Sequence, residues 1–321
     1  DGYGSDSAIA SLVDSVNAEI GSDVYSYVAL ESLLGGDEIA VGIIYKPATV
    51  TPQGAAVTSS DTPFDYGNRQ PLLQSFSVNS NDEAFTLAVN HFKSKGSCGS
   101  ATGNDADSGD GQGCWNELRT QAAEGLIALV QQNTEVLSDR VIVMGDLNAY
   151  AKEDPILALE SAGYSNLVNV FEGDSAYSYS FGGEMGYLDH ALSSPSLTEY
   201  VVDATVWHIN ADEPRVFDYN VEYKTETQLS SYYGADAYRS SDHDPVVVVI
   251  DFPETSEPEP IVGDFDGDSD VDNYDVVAFY TLLLRNQATV EEHDFNGDSR
   301  LNIYDLYALM SMCTRTACAV Q

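Results

Sequence analysis

Eleven residues split this chain into two folding problems. Pro253 to Gly263, PETSEPEPIVG, holds three prolines and three glutamates. Prolines fix an extended backbone and the glutamates repel one another, so the segment reads as a spacer rather than part of a core. The expected organisation is therefore a domain over residues 1–252, a linker over 253–263 and a second unit over 264–321.

Downstream of the spacer a pattern occurs twice. DFDGDSDVDNYD at Asp264–Asp275 returns 30 residues later as DFNGDSRLNIYD at Asp294–Asp305. Oxygen-bearing side chains fall at positions 1, 3, 5 and 9, with a carboxylate at 12. That spacing can wrap oxygens around a hard cation of six to eight ligands. The candidate ligands are Asp264, Asp266, Asp268, Asp272 and Asp275 in one copy, and Asp294, Asn296, Asp298, Asn302 and Asp305 in the other. Asp270 and Arg300 stand at position 7, where a backbone carbonyl serves. Each copy runs into an apolar helix, VVAFYTLLL or LYALMSM. Position 12 is Asp rather than the Glu of an EF-hand, and glycine stands at position 4 (Gly267, Gly297). From Val262 to Met312 the two half-motifs resemble a type I dockerin. The resemblance implies a small all-α domain with two Ca²⁺ sites and a cohesin-type protein partner.

Upstream, strands and helices alternate. Helical periodicity covers Ala8–Ile20 and Trp115–Gln132, the latter with Leu118, Ala122, Leu126 and Leu129 on one face, and Pro155 opens a short helix to Ser161. Strand patterns cover Val24–Leu30, Ile39–Tyr45, Leu72–Val78, Phe85–Phe92, Val141–Met144, Tyr187–Leu192, Val201–His208 and Pro245–Phe252. Interleaving of this kind indicates an α/β domain.

The net charge of −39 repels polyanions at long range and suits a salty medium or cation binding. It disfavours non-specific coating of nucleic acid but permits a locally basic cleft. Four cysteines allow three pairings, of which proximity favours Cys98–Cys114 and Cys313–Cys318, consistent with an oxidising, extracellular setting. No run of about 20 apolar residues is present for membrane insertion.

Chemistry concentrates at strand ends. The strand VIVM runs into Gly145-Asp146-Leu147-Asn148, NHFKSKG carries His91, GYLDHAL carries Asp189, and SSDHDPVVV places Ser241-Asp242-His243 before a core strand. Two histidines with several acids at one edge of a sandwich can activate water and hold a divalent metal against a phosphate. The G-D-x-N and S-D-H stretches resemble those of the endonuclease/exonuclease/phosphatase superfamily, whose DNase I-like fold is a two-sheet sandwich flanked by helices. VGIIYKP, NHFKSKGS, CWNELRTQAA, GYLDHALSS and WHINADEP are more narrowly similar to secreted bacterial nucleases of the ExeM type, over residues 1 to about 251.

The resemblance implies His243 as general base, with Asp189 orienting a histidine or proton donor and Asp242 holding a Mg²⁺ or Mn²⁺ ion or steadying His243. It implies His91 as phosphate contact or general acid, and Asp146 and Asn148 as positioners of nucleophile and phosphate. Tyr45, Arg69, Lys93, Lys95 and Arg239 are candidate substrate contacts, the last four drawn from ten basic residues before the spacer. His190 is expected on the opposite strand face, His208 in packing, and Asp105, Asp107 and Asp110 in solvent. The family's early metal-binding Glu has no counterpart, so the chain is expected to be the C-terminal part of a longer protein that begins before Asp1-Gly2-Tyr3-Gly4. The leading reading is a secreted metal-dependent nuclease acting on DNA, with a calcium-dependent docking module. The rivals are the same fold acting on a phospholipid or sugar phosphate, and a non-catalytic calcium-binding scaffold.

Overall fold

The VIVM strand sits at the centre of the first unit because its side chains are apolar on both faces. Val141 and Val143 pack towards one layer and Ile142 towards another. In the computed structural model, residues 7–30, 35–37, 39–133, 138–218, 221–222, 224–232, 234, 236–253, 261–268, 270–313 and 318 are described. The chain divides into two compact units, Asp1–Pro253 and Glu254–Gln321. Most of the spacer expected over 253–263 lies outside the described residues.

In chain order the first unit comprises α1 (Ala8–Ile20), β1 (Ser26–Tyr27), β2 (Ile44–Tyr45), β3 (Val50–Val57), β4 (Leu72–Val78), β5 (Ala84–His91), α2 (Asn116–Gln132), β6 (Val141–Asp146), α3 (Asp154–Ser161), β7 (Ser165–Asn166), α4 (Leu167–Glu172), β8 (Tyr179–Phe181), β9 (Glu184–Gly186), β10 (Asp189–Ser193), α5 (Pro195–Thr198), β11 (Val201–Val206), α6 (Glu226–Tyr232) and β12 (Val246–Ile250). Six strands form one sheet in the order β3-β4-β5-β6-β10-β7. Only β5 and β6 run parallel; the other neighbours are antiparallel. One face packs against α2 and α3 through Leu73, Ala88, Val141, Val143 and Leu192 meeting Ala122, Leu126, Ile156 and Leu159. The other face packs against two ribbons, β1–β2 through Val28 and Ile43, and β11–β12 through Ala204, Val246 and Val248. The result is a mixed α/β sandwich.

Three sequence expectations change. Strand β3 was not expected, since Pro52 and Gly54 interrupt it. It forms because it is an edge strand, where a missing N–H costs no ladder bond. The long strands expected over Val24–Leu30 and Ile39–Tyr45 reduce to two-residue pairings. Helix α2 buries Arg119 alongside Ala122, Ala123 and Leu126, with Leu118 and Leu129 only half-buried. The Arg119 guanidinium is tolerated there because it donates to the carbonyls of Lys93, Gln112 and Cys114. Cys114 in turn is bonded to Cys98, so the arginine and the disulfide brace the same loop.

The second unit contains α7 (Asn273–Leu284), α8 (Val290–His293) and α9 (Ile303–Ser311) around Val271, Val276, Phe279, Leu306 and Leu309. Both long helices start with a capping box, Asp272 with Asp275 and Asn302 with Asp305. Cys313 bonds Cys318 beyond α9.

Candidate active site

Register builds the site. Across the central sheet His91 on β5 lies opposite Asp146 on β6, and Asp146 opposite Asp189 on β10. The three therefore form one row across three adjacent strands. Gly145 makes the row possible. Its φ is 129°, and a Cβ there would stand 2.0 Å from the Asn90 carbonyl oxygen. Only glycine fits where β6 presses on β5 before turning out of the sheet. This explains a buried strand that runs straight into an acid and an amide. The Asn148 N–H donates to Asp146 Oδ1 (2.8 Å), and the Asn148 amide donates to Asp146 Oδ2 (3.1 Å) and to the Phe92 carbonyl (3.1 Å). Leu147 between them is fully buried and anchors the turn.

His243 arrives from the segment before β12. Its Nδ1 lies 2.7 Å from Asp189 Oδ2, which leaves Nε2 for a substrate or water. His91 Nε2 lies 3.5 Å from Asp146 Oδ2. The structure thus gathers His91, Asp146, Asn148, Asp189 and His243 at one sheet edge.

Electrostatics follow from this crowding. Burial pushes Asp146 up to about 7, helped by the charge of Asp189 and opposed by His243, the Asn148 N–H and Arg69. Burial, then the charges of Arg69 and His243, push His91 down to about 4. Burial also opposes charge on His243, but the hydrogen bond and charge of Asp189, with the fields of Asp146 and Asp242, outweigh it and raise His243 to about 9. Asp146, Asp189 and His243 each offer a ligand atom within 4.8 Å of the others. A buried carboxylate short of counter-charge beside a second carboxylate suits a divalent cation. Asp242 is not in that group; it lines an adjoining cleft with Arg239.

The remaining candidates spread out. Arg69 stays close: its N–H donates to the His91 carbonyl, and its guanidinium pairs with Asp37 at 3.1 Å. Lys93 lies over the Trp115 ring, and Lys95 is engaged by Glu153 at 2.6 Å. Arg239 is buried and donates to the Asn210 carbonyl. Tyr45 packs on Phe76, which stacks on Phe85 at the far end of β5 from His91, so it is not part of this edge. His190 is fully buried and bonds the Ala149 carbonyl. His208 pairs with Asp244 at 2.9 Å and stacks on Tyr177. Asp105 accepts from Leu118 N–H at the start of α2, and Asp107 and Asp110 close local turns.

Four further residues brace the site, of which Ser178 and Tyr179 lie in no motif quoted above. Ser178 Oγ donates to Asp189 Oδ2 at 2.7 Å. Tyr179 lies 4.5 Å, ring to ring, from His243. The Asn210 amide donates to the His243 carbonyl at 2.7 Å. Asp244 Oδ1 accepts from the N–H groups of Ile209, Asn210 and Ala211, which fixes that loop against the histidine. Asn210 lies in WHINADEP and Asp244 in SSDHDPVVV, both quoted above, but neither residue is singled out by those motifs.

In the second unit the acids form two groups, Asp264 with Asp266 and Asp268, and Asp270 with Asp272 and Asp275. Asp272 is 1% exposed and its Oδ2 has no hydrogen-bond partner among the described residues, an oxygen that a cation would satisfy. In the second copy Asp294, Asn296 and Asp298 accept from N–H groups of their own loop, Asp298 from that of Arg300, while Asp305 accepts from Asn302 and Asn296. No helix among the described residues is long and apolar enough to cross a membrane.

A model of the Endonuclease/Exonuclease/phosphatase family matches residues 34–243. No curated protein matches the chain. Of solved structures, 91 chains match. One is an endonuclease/exonuclease/phosphatase family protein from Bacteroides thetaiotaomicron, at 15% identity over 74% of this chain and 78% of that one, with a TM-score of 0.46. Another is a mannosyl-6-phosphatase from Bacteroides thetaiotaomicron VPI-5482, at 15% identity over 75% and 81%, TM-score 0.46. A third is an AP endonuclease from Archaeoglobus fulgidus, at 15% identity over 74% and 83%, TM-score 0.41.

Proposed function

The chain belongs to the Endonuclease/Exonuclease/phosphatase family, and on that premise we propose that it is a secreted, divalent-metal-dependent phosphodiesterase that hydrolyses DNA. The observation that carries the reading is the row His91–Asp146–Asp189 with His243 seated on Asp189. Asp189 holds the imidazole by Nδ1, so Nε2 faces outward to take a proton from water. As that proton leaves, the water oxygen bonds to phosphorus and the opposite P–O bond breaks, its oxygen keeping the electron pair and taking a proton from solvent. Asp146 and Asn148 fix the direction of approach. His91, pushed down to about 4, is neutral at neutral pH and donates a ring N–H to a phosphate oxygen rather than serving as acid. Arg69 adds positive charge at the same edge. A Mg²⁺ or Mn²⁺ ion held by Asp146 and Asp189 would stabilise charge on the phosphoryl oxygens and offset the carboxylate field on His243.

For the second unit the proposal is a dockerin-like module of the ExeM-type nuclease, loading Ca²⁺ in its two loops and docking to a cohesin-type partner. The duplicated spacing and the buried Asp272 oxygen, unpartnered among the described residues, support calcium. The catalytic reading is tested with full-length natural protein on plasmid DNA, in Mg²⁺ and then in EDTA. Mg²⁺-dependent nicking that His243→Ala lowers roughly 10²–10⁴-fold is expected. Nicking undiminished in that variant would remove His243 from the chemistry. Turnover of a sugar phosphate or phospholipid headgroup but not DNA would move the protein to the rival substrate class.

A further inference from the structure

Next to the catalytic histidine lies a cleft that hydrolysis itself does not use. The hairpin β8–β9 turns through Gly182 and Gly183, both at positive φ (63° and 89°), as a two-residue hairpin turn requires. Its first strand carries Tyr179 against His243 and then Phe181, stacked on Tyr179 at 6.3 Å and 12°. Phe181 is 72% exposed, the most exposed large apolar side chain among the described residues. A folded core gains nothing from it there. The two rings line a cavity of about 470 Å³ together with Arg215, Asp218, Arg239 and Asp242. Arg239 is buried, donates through Nη1 to Asn210, and has no hydrogen-bond partner at Nε among the described residues.

The chemistry of the lining selects the occupant. Arg215 and Arg239 share the cleft with Asp218 and Asp242, and Asp218 is also paired with Lys224 at 2.9 Å, so the charges are largely matched and the aromatic wall is what distinguishes the cleft. It offers a flat aromatic wall with hydrogen-bond donors and acceptors around it. We propose that this cleft takes one unpaired nucleobase next to the scissile phosphate, stacked on Phe181 and Tyr179. The inference rests on the phosphodiesterase reading and narrows it to single-stranded or frayed nucleic acid. A base still paired in a duplex cannot present its face to the stack, whereas an unpaired one gains from each ring it meets.

The test uses full-length natural protein and its Phe181→Ala and Phe181→Trp variants. The substrates are a single-stranded oligonucleotide and an abasic strand with the same backbone. Stacking of this kind is worth roughly 5- to 100-fold in affinity. Phe181→Ala should raise KM on the oligonucleotide by such a factor with kcat little changed, and Phe181→Trp should restore it. Both the wild type and Phe181→Ala should treat the abasic strand alike. An unchanged KM in Phe181→Ala, or an equal loss on both strands, overturns the proposal. Binding of a 2-aminopurine strand, read as fluorescence quenching without turnover, separates the two readings. Quenching without cleavage of either strand sinks the nuclease and leaves the cleft standing. Absence of quenching sinks the cleft whatever the cleavage.

Discussion

Replacing Asp189 by asparagine should convert His243 from a group that holds its proton into one that loses it. In the metal-free fold, burial alone would depress the imidazole, yet Asp189 and the neighbouring acids raise it to about 9. An unfolded histidine titrates near about 6.5. The folded state therefore binds this proton more tightly. Its contribution is fully present below about pH 6.5 and is lost as pH rises through about 9. The gap corresponds to about 3 kcal/mol, moderated by the partial exposure of the ring. In Asp189→Asn the hydrogen bond to Nδ1 loses its charge, so burial prevails and the His243 midpoint should fall below the ordinary histidine range. Urea unfolding in EDTA should show the variant about 2–3 kcal/mol less stable near pH 6, with the difference closing near pH 10. The second trend is reinforced because Asp189 also repels Asp146 and raises it. Titration of the His243 ring by NMR reads the midpoint directly. A midpoint that stays above about 8, or a stability gap independent of pH, would refute the argument.

Gly145→Ala should cost about 2–5 kcal/mol and lower Tm by roughly 5–15 °C, because the methyl meets the Asn90 carbonyl and φ is positive; calorimetry within about 2 °C of wild type would contradict the close approach. Asn210→Ala should lower Tm by roughly 2–10 °C and kcat roughly tenfold, since it frees the His243 carbonyl and empties a buried position; calorimetry and steady-state kinetics on plasmid DNA check this. Ca²⁺ added to EDTA-stripped full-length protein should raise the melting of the second unit, and Asp272→Asn should abolish most of that rise; a heat-silent titration in both proteins would count against the loops as cation sites.

The row His91–Asp146–Asp189 was legible because its members end strands that can be recognised locally. VIVM needs both faces buried, GDLN marks where it stops, and His91 and Asp189 sit on strands of the same kind. What local pattern could not supply was distance across the fold. Ser178 and Tyr179 meet Asp189 and His243 only because a short glycine-turned hairpin folds back beside β10. Asn210 reaches His243 across 33 residues of chain. Edge strand β3 was hidden for a different reason. Its proline reads as a breaker until the sheet order puts β3 at the edge among the described residues. Tyr45 shows the converse error: a residue in a quoted motif that packing sends to the far end of the sheet.

The row His91–Asp146–Asp189 has a consequence for how such a chain can diverge. Neighbouring residues on β6 face opposite ways, so the acid at the edge shares its parity with Ile142 and Met144, and the valines under the helices have the other. Losing or gaining a single residue inside Val141–Asp146 would move the carboxylate from the site to the opposite face, where Val141 and Val143 pack under the helices. Substitutions can drift here and loops can lengthen, but the count of residues in this one segment is locked to an even step.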